Sequence, residues 1–575
     1  MRKIVLAWLL LALGLAACQP ASAAVSTETV ASRATFTTVY IPPTATARLE
    51  ATNTTAAPLD SQLHSIWLAD SVPQALREAL EQNSSWTIAA DEADARLRLM
   101  AYQAYSSSAP VSHWVYALAA PFPTVADEVA LDDVKAVWKG TPLENTPFTT
   151  LLVEPSTAEA FTIGWGKPSS AVQVKPAAAL LDAAWGTKNA WAIIPFEQLE
   201  PRWKVIAVDG QSPVRKDFIL DRYGLVVKFV LVGAPTNILV PIRDQLGLPE
   251  SNRQPDHLTT VMVTGVTALV RGTASLMEQR GMDYPAQDIG GWLREADIPH
   301  ISNEVPFWKT CPEPYNWEGL AFCSRTKYIE LLRDVGADVI ELTGDHFQDW
   351  GAEAMLFTLD LYRQEGWKTY GGGANSEEAR QPALFEHNGN KIAFIGCNAK
   401  PKGYATAGPK TPGALHCNME QMAAEVRKLR EDGYQPIVTF QHLEYYSYTA
   451  HPILQKDFRQ MAEAGAVIVS GSQAHQPHPI EFKDGAILHY GLGNLFFDQT
   501  NQGDAPRDAF IDRHVFYNGR LISTELLTIH LVDYARSRPM TPDERQGLLK
   551  TIFKASGWEN GTRPHHNPRP GHRRR

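Results

Sequence analysis

After residue 15 the chain has no run approaching 18 uninterrupted apolar residues, which excludes a transmembrane helix. It also lacks a surplus of basic charge. The 53 Lys and Arg fall short of the 63 Asp and Glu, and the formal net charge is −10. With a pI near 6.0, this argues against nucleic acid as a partner. Residues 19 to about 57 show no recurrence at helix or strand spacing. They are rich in Ala, Thr, Ser and Pro, as in Pro42-Pro43-Thr44-Ala45-Thr46, and read as a flexible spacer. Cysteine is scarce, with five residues in 575.

What is present begins at the N-terminus. Arg2 and Lys3 precede an apolar stretch, Ile4 to Leu15, too short for a comfortable membrane span. It ends in Leu15-Ala16-Ala17-Cys18, which resembles the lipobox of bacterial lipoproteins. That resemblance implies a signal peptide over 1–17, cleavage before Cys18 and acylation of its thiol. The mature chain is then extracytoplasmic and anchored to the cell membrane by lipid, each buried methylene contributing about 0.8 kcal/mol. Cys311, Cys323, Cys397 and Cys417 remain. An even number outside the cytoplasm suggests disulfides. Three pairings are open, neighbour with neighbour being the simplest, and four buried free thiols are the alternative.

The length allows two or three domains. Residues 58–245 form a first folded region. A helix is expected over Val72–Gln82, from the spacing of Val72, Leu76 and Leu80, and another over Thr124–Trp138. Strands are expected at Trp191–Phe196 and Val205–Val208. The runs Ala120-Pro121-Phe122-Pro123-Thr124, Leu131-Asp132-Asp133-Val134, Trp138-Lys139-Gly140 and Gly210-Gln211-Ser212-Pro213 resemble the phosphate-type periplasmic solute-binding fold. No ligand residue carries over. The polar stretch Pro249 to Pro255 reads as a linker. Residues 555–575 read as a disordered basic tail, in which His565 and His566 lie in no scaffold.

Over 256–532 strand-like runs alternate with amphipathic helices, an α/β signature. Strands are expected at Thr259–Val263, Asp338–Leu342, Lys391–Ile395, Pro436–Phe440, Ala466–Val469 and Ala486–His489. Helices are expected at Tyr328–Val335, Ala352–Glu365, after an Asn418 cap, and at Leu454–Glu463. Three histidines, His346, His442 and His475, follow directly on three of the strands. In parallel α/β sheets the carboxyl edge is where ligands bind. Histidine and carboxylate converging there make a metal or acid/base site.

These residues also carry a family resemblance. The run Thr343 to Gly351, the stretch Gly371 to Pro382, His442-Leu443-Glu444-Tyr445, the run Gly471 to Glu481 and the run Tyr490 to Asp498 match, in order and spacing, five boxes of the CapA/PgsA-like poly-γ-glutamate capsule-biosynthesis family. The resemblance implies a layered metallophosphoesterase-like α/β sandwich, preceded here by the smaller solute-binding-like domain. The departures fall on ligand positions. Val266 stands where the family has a metal-binding Asp, Asp345 where it has Asn, and Gln473 where it has the first His of its last box. The resemblance therefore implies an altered site. Glu304, Asp345, His442 and His475 are the expected ligands of Zn, Mn or Fe. His346, Asp349 and Glu444 are the expected acid/base groups. Asn303, Arg271, Gln473 and Asn494 would position substrate or water. Two functions follow: metal-assisted work on a surface polymer together with its synthesis machinery, or ligand binding without catalysis on a degenerate fold.

Overall fold

The computed structural model describes residues 65–558, apart from 103–108, 235, 315–320, 404 and 502. Cys18, the spacer and residues 559–575 lie outside the described residues; at 555–558 the expected disordered tail is instead ordered, Ala555 ending the helix Pro542–Ala555 and Trp558 packing against Phe122.

The first region is built on a mixed sheet. Its central strand, Pro110–Pro121, is buried along most of both faces, as its sequence VSHWVYALAA requires. Val226–Val232 and Ala190–Pro195 flank it antiparallel. Helices close over the sheet, among them Gln74–Glu81 and Leu131–Lys139. The second of these starts later than the sequence pattern suggests, because Glu128–Val129 instead pairs with Trp203–Val208. Asp132 and Asp133 then fall in its first turn, where the helix dipole favours acids.

Residues 249–255 are held at several points. The Asn252 side chain accepts from Val115 N at 2.8 Å and donates to Val115 O at 2.9 Å. Arg253 donates to Pro213 O and Arg215 O at 2.6 and 2.7 Å. Phe122 packs edge-on against Phe482 and Trp558, at 5.1 and 6.0 Å between centroids. Arg545 forks onto Asp127 with two 2.8 Å bonds.

From residue 258 onward two sheets face each other. The first runs Lys368–Tyr370, Val339–Glu341, Ile298–Asn303, Leu258–Thr264, Asp508–Tyr517, Arg520–Leu531, Ser537–Pro539. The second runs Ala383–His387, Asn390–Asn398, Gln435–Gln441, Ile468–Ser470, Ala486–His489, Ile480–Lys483. Helices Gly351–Glu365, Met419–Glu431 and Pro452–Ala464 pack with them. Asn418 caps the second of these by accepting from Gln421 N at 3.1 Å. This is the layered α/β sandwich expected from the sequence. The seven strands of these two orders that were not expected include Ile298–Asn303, whose polar ending IPHISN hides its burial, and the long pair Asp508–Tyr517 and Arg520–Leu531.

Polar pairs stitch the two sheets through the middle. Tyr370 Oη meets Thr439 Oγ1 at 2.9 Å and His300 Nε2 at 2.9 Å. Gln473 donates to Ser302 Oγ at 2.6 Å. Glu341, fully buried, accepts from Thr343 at 2.6 Å and from Ser472. A carboxylate can be buried there only because its oxygens are satisfied. Both expected bridges are present: Cys311–Cys323 and Cys397–Cys417, with Cα separations of 5.9 and 5.1 Å. No helix among the described residues is long and apolar enough to cross a membrane.

Candidate functional site

The parallel strands of both sheets deliver their carboxyl ends to one crevice. Ile298–Asn303 brings Glu304, and Val339–Glu341 brings Asp345 and His346. Asn390–Asn398 brings Lys400, Gln435–Gln441 brings Gln441 and Glu444, and Ile468–Ser470 brings Gln473 and His475. The loops meet closely. A Cβ on Gly344 would lie 2.7 Å from the Cα of Glu304, so only glycine lets these two chains approach.

Glu304, Asp345 and His346 form the tightest group, each offering a ligand atom within 4.8 Å of the others. Glu304 is 1% exposed, and its Oε2 has no hydrogen-bond partner within the protein. Burial, aided by the neighbouring Asp345 charge, lifts its pKa to about 8 against the opposing pull of His346. Burial would raise Asp345 as well. There the Lys400 ammonium and His346 prevail and hold the carboxyl below its usual range.

His346 is fixed from behind. Its Nδ1 lies 2.6 Å from Asp349 Oδ2, which also accepts from Phe322 N at 2.8 Å. Burial opposes the imidazolium, but the Asp349 bond and the Glu304 and Asp345 charges raise its pKa to about 9. With Nδ1 engaged, Nε2 is the atom left for a ligand or a proton. Metal-binding histidines are oriented by a carboxylate in this manner. The unpartnered Glu304 oxygen, the Asp345 carboxylate and this imidazole fit one divalent cation.

Other polar residues, some expected from the sequence and some not, are distributed around that group. Lys400 Nζ sits 2.7 Å from Asp345 Oδ2 and 2.6 Å from Glu444 Oε1. Gln441 donates to Asp345 Oδ1 at 3.2 Å. His475 lies 3.9 Å from Glu444 through Nε2, while its Nδ1 meets Asn494 Oδ1 at 2.9 Å. Burial pushes its pKa down, so it is neutral at pH 7. His442 faces Asp457, on the helix Pro452–Ala464, at 3.1 Å. Of the four expected ligands, then, two converge with His346, while His442 and His475 engage other partners.

Asn303 donates to Val305 O at 2.6 Å and Tyr362 Oη at 2.8 Å, a scaffold contact. Gln473 bonds Ser302, as above. Arg271 pairs with Asp498 at 2.6 Å and stacks over Phe497 and Phe322 at 4.8 and 5.2 Å. Its backbone φ of 44° is unusual for a non-glycine residue. Lys400 and Gln441 were not singled out from the sequence. The signal that could have found them is the rule that found the histidines, because each stands at the carboxyl end of a parallel strand.

Residues 260–499 match the model of a family described as bacterial capsule synthesis protein PGA_cap. The capsule biosynthesis protein CapA of Bacillus anthracis is 24% identical over 292 residues, 49% of this chain and 69% of that protein. The PGA biosynthesis protein CapA of Bacillus subtilis (strain 168) is 24% identical over 312 residues, 53% of this chain and 80% of that protein. Among solved structures, an ABC-type phosphate transport receptor from Vibrio cholerae is 10% identical, spans 32% of this chain and 93% of the receptor, and has a TM-score of 0.27. Residues 260–499 are CapA-like.

Proposed function

We propose that this chain is an exported lipoprotein, held by acyl chains on Cys18, that acts in the biosynthesis, export or processing of a polyanionic surface polymer such as poly-γ-glutamate. The observation that carries the reading is the buried group Glu304, Asp345 and His346 at the strand ends of a CapA-like domain. A polymer bearing a carboxylate on every residue is repelled by a crevice holding Asp345, Asp349 and Glu444. Positive charge must offset that repulsion; Lys400 supplies one such group, and a divalent cation held by the cluster would supply more.

Glu304, Asp345 and His346 would hold the divalent cation, Zn, Mn or Fe. When bound it would polarise an acyl or phosphoryl oxygen, or lower the pKa of water. The protein's own contributions are separable. Asp349 fixes the imidazole plane of His346 through Nδ1. His475, neutral and aimed at Glu444, can accept a proton at Nε2. Lys400 fixes the carboxylates of Asp345 and Glu444. Residues 58–245 are read as a second, solute-binding-like domain beside the CapA-like one.

The reading is tested in a strain that makes the polymer and lacks its own CapA-type gene. Wild-type chain should restore cell-associated polymer, whereas Asp345→Ala and His346→Ala should each leave less than a tenth of it. Cys18→Ala should be released from the membrane fraction and no longer take up labelled fatty acid. Wild-type polymer levels with both Asp345→Ala and His346→Ala would overturn the role of the site. The non-catalytic reading is favoured by the internal ion pairs of Lys400, which already neutralise part of the crevice. Full polymer restoration without turnover of any phosphodiester or γ-glutamyl substrate in vitro would select it.

A further inference from the structure

The crevice contains a cation of its own. Lys400 Nζ lies between Asp345 Oδ2 at 2.7 Å and Glu444 Oε1 at 2.6 Å, with both the lysine and the aspartate side chains less than a tenth exposed. His475 Nε2 is 3.9 Å from the same Glu444 oxygen. Among the described residues only Glu304, Asp345 and His346 bring three ligand atoms within reach of one ion, but the two carboxylates of Asp345 and Glu444 would also draw a cation to the centre between them. Here an ammonium fills the centre. Asp345 therefore has two roles. It belongs to the group with Glu304 and His346, and it also forms the wall shared with Lys400.

The placement of Lys400 is built into the backbone. It follows strand Asn390–Asn398, and the Asn398 side chain spans the gap between the two sheets. Asn398 Nδ2 donates to Thr343 O at 2.9 Å, and its Oδ1 accepts from Lys400 N at 2.8 Å. Ala399 N donates to Gln441 O and Cys417 N to Asn398 O, at 2.7 and 2.9 Å. The Cys397–Cys417 bridge closes the same corner. The segment leading into Lys400, up to its own N–H, is thus held by hydrogen bonds to both sheets. A metal entering between Asp345 and Glu444 would have to expel this ammonium and leave it without those partners in a mostly buried place.

We propose that Lys400 is a resident counter-cation between Asp345 and Glu444, so that this chain takes one divalent ion, at Glu304, Asp345 and His346, and excludes a second. The inference rests on the metal reading given above and goes beyond it by fixing stoichiometry. It also assigns the role of Lys400, which positions carboxylates and excludes an ion without itself touching substrate.

The experiment is titration of the metal-free full chain with Mn²⁺, read by calorimetry and by electron paramagnetic resonance. Wild type should bind one Mn²⁺ with an uncoupled spectrum. Lys400→Met and Lys400→Ala should bind two, with spin coupling between the ions, whereas Lys400→Arg should bind one. Either neutral variant suffices if the other does not fold. Two ions in wild type, or one ion of unchanged affinity in a folded neutral variant, would overturn the lysine inference and leave the metal reading standing. No ion in wild type would overturn the metal reading. In that case a single ion gained by Lys400→Met would still support the exclusion role, and none gained would remove both.

Discussion

His346 Nδ1 and Asp349 Oδ2 lie 2.6 Å apart, and the same Asp349 oxygen is held by the backbone N–H of Phe322 at 2.8 Å. Phe322 immediately precedes Cys323, which is bonded to Cys311. A chain of contacts thus runs from a disulfide through a peptide N–H and a carboxylate to the imidazole of the site. Orienting carboxylates of this kind tune a histidine ligand without touching the ion.

Asp349→Asn should therefore weaken Mn²⁺ binding by roughly 10- to 100-fold while leaving the fold intact. Calorimetric titration together with a thermal melt checks this. Unchanged affinity in a variant with a wild-type melt would mean that the His346–Asp349 pair is structural only.

Removing the second bridge has a different expected signature. Cys397 and Cys417 close a loop of 20 residues, worth about 3 kcal/mol in the chain-entropy description. The double Cys397→Ala, Cys417→Ala variant should lose about that much in urea unfolding. Because the bridge braces the corner from which Lys400 projects, it should also loosen the single-ion stoichiometry. A loss well under 1 kcal/mol would show that the corner is held by Asn398 and its neighbours alone.

His514 supplies an expected pH dependence away from the site. It is 1% exposed on strand Asp508–Tyr517, its Nδ1 meeting Thr524 Oγ1 at 2.9 Å. Burial, helped by His489 and opposed by Asp512, lowers its pKa from 6.5 to about 4. The folded chain thus keeps this ring neutral while the unfolded chain protonates it near pH 6.5. Its contribution is fully present above pH 6.5 and is lost as pH falls toward 4, a loss of roughly 3 kcal/mol at the acid end. His514→Gln should flatten the acid limb of a stability–pH profile by up to one proton. An unaltered slope between pH 4 and 6.5 would place the titration elsewhere.

A fourth expectation concerns the boundary near residues 240–255. Residues 256–575 contain complete apolar cores, one around Met277, Leu332 and Tyr362 and another around Val426, Phe440 and Phe458. Expressed alone, this part should fold with a sharp thermal transition. It should melt below the full chain, because Phe482 and Trp558 lose their packing against Phe122 and Trp185. A broad, non-cooperative melt would show that the two regions fold only together.

The sequence by itself determined the α/β alternation from 256 onward, the Asn418 cap and the carboxyl edge on which His346, His442 and His475 would fall. Those features depend on local periodicity and on short turns following apolar runs, and both survive in one dimension. The sequence also limited the disulfides to three pairings, and the structure chose neighbour with neighbour. Only the tertiary structure decided which polar residues meet. Lys400 is 55 residues from Asp345 and 44 from Glu444, and it stands next to no motif. Its role comes from two parallel strands ending at one level of two facing sheets. His442 shares the strand-end position of the others, yet it turns to Asp457 on a helix that begins 10 residues later. A side chain's position along its strand is written in the sequence. Its choice among partners within hydrogen-bond reach is set by which other strands and helices pack beside it, and that choice separated His346 from His442 here.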